Sequence, residues 1–335
     1  MASPINRRGL LATGLALAPA AAARAQAPVP APLQAPALNR PARILLGWPP
    51  GGAADIVARV FAERLRGTYA TQVVVENRPG AASRLAIEAA KAAAPDGATL
   101  LVTPESMLTI YPHIYPRTLR YDGLKDFVPV SGLCSTSFAL ALTPGHPARD
   151  LAGFVAWAKG QPAPVPYASP AAGSTPHFLM EELARAEGLR LEHVSYRGTG
   201  PAMPDLQAGR LALAITVTGD MAEYERTGFG RVIGVTSRER SRRVPAVPTL
   251  AELGHPALTA EEWYGILLPA GTPAPLVDAL QQAVAQAVRD PDLQASLATM
   301  EQRPRPSTSR EFADRLRAER ERWAPIVLAT GFSAE

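Results

Sequence analysis

From residue 42 onward, short apolar runs of strand length alternate with longer stretches whose apolar residues recur at helical spacing. "ARILLGW", "TQVVVEN" and "ATLLVT" read as strands, and residues 54–66 and 83–94 as helices, with Ile56, Val57, Val60, Phe61 and Leu65 on one face. A second series follows: the strand "PVPYAS", a helix from about Pro176 to Gly188, the strand "LEHVSYRG", a short helix to Gly209, and the strands "LALAITV" and "RVIGVTS". "EEWYGILLPAGTPAPLVDALQQAVAQAV" then gives a strand and a helix, and a charged amphipathic helix follows from about Ser309 to Leu328. Strands alternating with helices predict βαβ units and mainly parallel sheets, hence an α/β protein.

Turn-forming residues crowd "LTPGHPARD" near residue 145 and "ELGHPALTAEEW" near 258, and these stretches divide the two series. The expected organisation is two lobes joined by two crossover strands at a hinge, each lobe a mainly parallel sheet flanked by helices. Lobe 1 is discontinuous, residues 42–144 and 262–335, and lobe 2 is residues 145–261. A chain of 335 residues that is 47% apolar can give each lobe its own core. In such folds ligands sit where strand C-termini and helix N-termini face a crevice.

The first 25 residues do not belong to this pattern. Arg7 and Arg8, a short apolar run from Leu10 to about Ala23, and the A-x-A pattern Ala23-Arg24-Ala25 read as an export signal too short to span a bilayer. Cleavage is expected after Ala25, because a cut after Ala27 would place Pro28 at the scissile bond. The paired arginines partly match a twin-arginine signal, and Sec export is the other route. Residues 26–41, with Pro28, Pro30, Pro32, Pro36 and Pro41, read as an extended linker. Removing the signal lowers the formal net charge of +4 by three, so the basic balance lies partly in the discarded segment. No basic stripe with interleaved aromatics suggests a nucleic-acid partner. Cys134 is the only cysteine, which excludes an intramolecular disulfide, and it reads as a small buried residue.

Three strand-to-helix joints carry the candidate chemistry. In "WPPGGAAD", Gly51 and Gly52 let the backbone come close to a ligand, and the helix beginning near Ala53 presents unpaired N–H groups and the positive end of its dipole. Asp55 falls in its first turn, where it suits the dipole and can anchor a neighbouring loop. The same residues would also make an ordinary tight turn. In "YASPAAGSTPHF", Thr175 is expected at the N-cap with Pro176 in the first helical position; Ser174 or Thr175 can bond a carboxylate or only cap the helix, and His177 reads as a satisfied or exposed helix residue. In "YRGTGPAMPDLQAG", Arg197 can bind an anion or pair with a nearby carboxylate, and a helix start accommodates Pro201 and Pro204.

Other chemistry is poorly represented. There is no Walker loop, dinucleotide fingerprint, G-x-S-x-G elbow or H-E-x-x-H motif. His113, His146, His177, His193 and His255 lack metal-ligand spacing, so no metal and no cofactor are expected.

Taken in order, "WPPGGAADIVAR", "VVENRPGA", "APDGATLLV", "YASPAAGSTPHF", "HVSYRGTGPAMPDLQAG", "VIGVTSRERS", "VPTLAELG", "EEWYGILLPAGTPAPLV" and Trp323 resemble the substrate-binding proteins of tripartite tricarboxylate transporters, the Bug family. The resemblance runs from about residue 42 to the end. It implies a type II periplasmic binding-protein fold that closes on a small organic anion or amino acid, often through a carboxylate held by backbone N–H groups and waters. By position, Pro50, Gly51, Gly52 and Asp55, with Ala53 beside them, match the family's first loop. Ser169, Gly173, Ser174, Thr175 and His177 match its second. The chain departs from the family pattern at Ala82, Ser83 and Arg84, where glycines and an asparagine are usual. At Thr216 it lacks a common acidic cleft residue, and Glu262 stands in place of a small polar one.

The reading that follows is a periplasmic, non-enzymatic, monomeric receptor delivering its solute to a membrane permease, with Arg197 and Thr216 joining the two loops as candidate contacts. A subunit presenting ligand to a membrane signalling partner fits the same residues. An exported hydrolase using Ser174 with His177 is a remote alternative, since a helix start with those residues three apart offers no oriented third partner.

Overall fold

The computed structural model describes Met1 and residues 37–335. The expected export signal and the linker as far as residue 36 lie outside the described residues. Among the described residues no helix is long and apolar enough to cross a membrane.

The alternating pattern folds as expected from β1 (Ala42–Leu46) through α1 (Ala53–Leu65), β2 (Val73–Asn77), α2 (Arg84–Lys91) and β3 (Thr99–Pro104). Two single-turn helices follow, α3 (Ser106–Thr109) and α4 (Tyr111–Ile114), and then β4 (Phe127–Leu142). The second series runs α5 (Leu151–Lys159), β5 (Val165–Ser169), α6 (Thr175–Glu187), β6 (Leu191–Ser195), α7 (Thr199–Gln207), β7 (Leu213–Val217), α8 (Thr218–Arg226) and β8 (Arg231–Val235). The chain finishes with β9 (Glu261–Pro269), α9 (Ala274–Ala287), α10 (Pro291–Thr299), β10 (Arg303–Pro304) and α11 (Ser309–Thr330).

Two pleated regions share β4. In the first, β1 lies parallel between β2 and β3, and β9 runs antiparallel between β3 and β4. In the second, Phe138 to Leu142 of β4 pair antiparallel with β7 and β8, and β5 lies parallel between β7 and β6. The strand therefore passes from one sheet to the other between Ser137 and Phe138, ahead of the turn near residue 145. Helices cover each sheet with separate apolar clusters, one built around Ile44, Phe61 and Leu280, the other around Phe138, Phe154 and Leu213. This is the two-lobed α/β arrangement the sequence pattern implies.

The return crossing is stitched to β4 at one threonine. Thr236 donates its N–H to the Phe138 carbonyl (2.9 Å), its Oγ1 accepts from the Phe138 N–H (2.9 Å), and the same hydroxyl donates to the Ala260 carbonyl (2.7 Å). The two connections thus meet at one point, which suits a hinge.

Some local expectations change. Ile56 is exposed, so the buried face of α1 is Val57, Ala58, Phe61 and Leu65 rather than a face including Ile56. Pro204 sits in the second turn of α7, where it removes the bond that would go to the Gly200 carbonyl, so it is not accommodated as a first-turn residue. Cys134 is buried as expected, and its thiol donates to Gln302 Oε1 (2.9 Å).

The loop before α2 carries backbone strain. Ala81, Ala82 and Ser83 have φ of 44°, 52° and 72°, the left-handed region that favours glycine. Ser83 is held there because it packs on Gly47, where an added Cβ would lie 1.8 Å from Ser83 Oγ. We expect Ala82→Gly to raise the unfolding free energy by about 1 kcal/mol, the cost of a non-glycine residue at positive φ. Urea denaturation of the two proteins measures it.

Candidate functional site

Between the lobes lies a cleft of about 740 Å³, within the size range of small-molecule sites. The starts of α1, α6 and α7 open onto it. Gly52 is the N-cap of α1 with extended backbone (φ −80°, ψ 168°) and no side-chain cap. The N–H groups of Gly52, Ala53 and Ala54 have no acceptor among the described residues, while Asp55 N–H already bonds the Gly52 carbonyl. All three residues line the cleft, beside Pro50 and Gly51. An anion there would meet unpaired donors and the positive end of a 13-residue helix, an effect of about 0.3–2 kcal/mol depending on burial.

Asp55 itself does not line the cleft. It is buried behind the loop, where Oδ2 accepts from Gly51 N–H (2.9 Å) and Arg59 Nε (2.8 Å), and Oδ1 from Asn77 Nδ2 (2.8 Å). Burial raises its pKa, but the bonds from Arg59, Gly51 and Asn77 outweigh this and hold the carboxyl below the ordinary range. Asn77 also bonds the Trp48 carbonyl (2.9 Å), so both ends of the Trp48–Gly51 segment are tied down. Gly51, at φ +86°, needs glycine for the turn; its N–H is spent on Asp55 and unavailable to solute.

At α6 the N-cap is Ser174 rather than Thr175, because Ser174 holds the extended backbone (φ −84°, ψ 163°) and Thr175 is already helical. Neither hydroxyl caps the helix. Ser174 Oγ donates to the Ala171 carbonyl (2.6 Å), and Thr175 Oγ1 is buried with no partner. Gly173 is required at φ +72°, since an added Cβ would lie 2.0 Å from Ile114 Cδ1. His177 is buried and satisfied: Nδ1 accepts from Gly173 N–H (3.1 Å), Nε2 lies 3.6 Å from Glu181 Oε1, and the ring stacks on His193. His193, pushed down to about 3 by burial and then by His177, bonds Ser169 Oγ at 2.7 Å. Ser174 and His177 are therefore each committed elsewhere, not paired as a hydrolase would need. Of this loop, Pro170, Ser174 and Pro176 reach the cleft wall; Ser169, Gly173, Thr175 and His177 do not line it.

Arg197, Gly198 and Thr199 bring the third helix start to the wall, and Arg197 is exposed there without an ion pair among the described residues. Thr216 does not line the cleft. Its hydroxyl bonds the Thr199 hydroxyl, so it braces the start of α7. Arg84 does not line it either; its guanidinium lies over the Tyr115 ring at 4.0 Å.

The floor holds residues that sequence reasoning did not single out as contacts: Trp48, Ser106, Asp220 and Tyr264, with Glu262 among them. In the sequence Glu262 stands out only as a departure, and Ser106 on a four-residue helix has no motif to signal it. Burial pushes the Glu262 carboxyl up to about 7 despite hydrogen bonds from Ser106, and burial likewise raises Asp220 against a bond from Thr199. The cleft thus joins backbone donors at its walls to acids at its floor. Among the described residues no cluster of His, Cys, Asp and Glu is placed to hold a metal.

Two lobes, a hinge and a cleft ringed by helix N-termini define a solute-binding protein of the periplasmic binding-protein class. Residues 57–332 match the family described as the tripartite tricarboxylate transporter family receptor. The chain is 33% identical over 293 residues to protein BugT of Bordetella pertussis, covering 87% of this chain and 90% of that protein. It superposes on Rpa4515 of R. palustris with adipate (TM-score 0.83, 26% identity, 88% and 98% of the two chains). It also superposes on MatC of Rhodopseudomonas palustris with bound malate (TM-score 0.80, 29% identity, 86% and 99%). The chain belongs to the tripartite tricarboxylate transporter receptor family.

Gly52 gives the cleaner test of the wall. Its backbone suits any residue and an added Cβ meets only the Pro49 carbonyl at 3.9 Å, whereas Gly51 would be strained. Gly52→Trp is expected to abolish solute binding in calorimetry while leaving the thermal midpoint close to that of the wild type. Asp55→Ala frees the Trp48–Gly51 segment and is expected to cost about 1–3 kcal/mol by urea denaturation. Because the folded-state carboxyl sits low, this stabilisation is full above pH ~4 and fades as pH falls through the lowered value, so wild type and variant converge in acid.

Proposed function

We propose that this chain is a periplasmic receptor that captures a small carboxylate-bearing organic solute in the cleft and delivers it to the membrane components of a tripartite transporter, without catalysing a reaction. One observation carries the reading: the starts of α1, α6 and α7, drawn from both lobes, converge on one cleft, and the α1 start keeps unpaired N–H groups. Bound adipate in Rpa4515 and bound malate in MatC support the same solute class for this chain.

The donors come from loops that lie on opposite sides of the hinge, so a solute touching both gains contacts only when the lobes approach. Its binding energy then shifts the population toward the closed form. In this reading lobe 1 comprises residues 42–137 and 262–335, lobe 2 residues 138–261, and Thr236 is the pivot.

The test is to purify the mature protein, release its co-purified ligand by denaturation and identify it by mass spectrometry, alongside calorimetry with malate and adipate. An organic acid in the eluate and saturable binding of either probe are expected. A phosphorylated or purely cationic ligand contradicts the proposal.

A further inference from the structure

The floor of the cleft presents a group that carboxylate capture by helix starts does not use. Glu262, at the start of β9, is 6% exposed and lines the cleft. Its Oε1 accepts both the Ser106 N–H (3.4 Å) and the Ser106 hydroxyl. Its Oε2 has no partner among the described residues, yet is not one of the sealed, orphaned atoms of the interior. One oxygen is held by the protein and the other is left for whatever enters.

The surroundings decide the state in which that oxygen is offered. Glu262 is faced by Ser106 of α3, Tyr111 of α4, Tyr264 of β9 and Glu105 from the end of β3, while Asp220 of α8 approaches Tyr264 from the other lobe. Of the arginines beyond this group, Arg84 lies over Tyr115 and Arg315 over Trp263, the latter also 3.9 Å from Glu105, while Arg197 lines the cleft wall without an ion pair among the described residues. Glu105 is pushed well up by burial and by Glu319 against Arg315, so it adds no settled charge, and Glu262 titrates near neutrality. An enclosure of acids and aromatic groups with no cation directly against the carboxyl favours its neutral form. With Oε1 already accepting twice, the proton of that form belongs on Oε2.

We propose that Glu262 takes up a proton from solvent as the solute binds and donates it from Oε2, as a hydrogen bond, to a second anionic oxygen of the solute. Glu262 is then a specificity-determining residue that makes this receptor selective for dicarboxylates. One solute dianion and one proton enter together, and the O–H to carboxylate bond is of the strong, charge-assisted kind. The inference rests on the carboxylate-receptor reading and deepens it: helix starts hold one end of the solute, and an acid holds the other.

Linkage sets the sign. If the bound state needs Glu262 protonated, affinity is highest below the free-state value near 7 and falls as pH rises above it, by at most tenfold per pH unit. An ammonium-bearing solute would need Glu262 ionised and would show the opposite slope. The experiment is calorimetry of the mature protein with malate and with adipate between pH 6.5 and 8.5, a window chosen about the titration of Glu262. It is run in two buffers of different ionisation enthalpy. The expected results are an affinity that falls toward high pH, net proton uptake approaching one per solute, and a flattened profile with no uptake in Glu262→Gln.

The wild-type profile decides without any variant. Binding that is independent of pH, or that tightens as pH rises, overturns the inference while leaving the carboxylate reading intact. A slope that survives in Glu262→Gln and vanishes in Asp220→Asn also overturns it by moving the proton to Asp220. Failure of both probes to bind at every pH removes the carboxylate reading and the inference with it.

Discussion

Backbone N–H groups at the first turn of a helix have no intrahelical partner, and much of this molecule is arranged so that those of α1 stay unpaired at a wall instead of being buried or capped. That requirement explains why Gly52 is a cap without a side chain, and why Asp55 takes the Gly51 N–H but none of the next three. It also explains the rigid backing. Asp55, Asn77 and Arg59 hold one loop, and Gly173, Ala171, His177 and His193 hold the other, from behind the cleft wall. Residues that look like ligands in the sequence are, in large part, the frame that keeps the donors in place.

Much of this was legible before the structure. Alternating apolar periodicity gives α/β lobes because strands of parallel sheets are buried on both faces and their helices on one. The long β4 was not legible, for a physical reason: "FVPVSGLCSTSFALAL" contains Pro129, Gly132 and a Ser-Thr-Ser run, and its register slips at Pro129/Ser131 and Gly132/Cys134. It is a strand because it is paired on both sides, which is a tertiary cause. The α6 cap shifted by one residue because neighbouring hydroxyls, Ser174 and Thr175, look alike until the backbone chooses between them.

The candidate site divides similarly. The glycine-rich joints announce themselves because glycine at a strand-to-helix turn has a backbone meaning. The floor does not, since Ser106, Asp220 and Tyr264 come from three elements with no common spacing. Thr216 shows the converse: a residue the sequence marks as a candidate contact braces Thr199, while acids reach the cleft from α8 and β9. The acids of this cleft therefore come from elements that no single motif links.

The central claim, that backbone donors at helix starts hold a solute carboxylate, is tested most directly by a crystal structure of the mature protein with malate or adipate bound. The account predicts a carboxylate whose oxygens accept from N–H groups of the Gly52–Ala54 segment, with no side-chain cation required. A solute held instead by Arg197 alone, or lying outside the cleft between α1, α6 and α7, would contradict it.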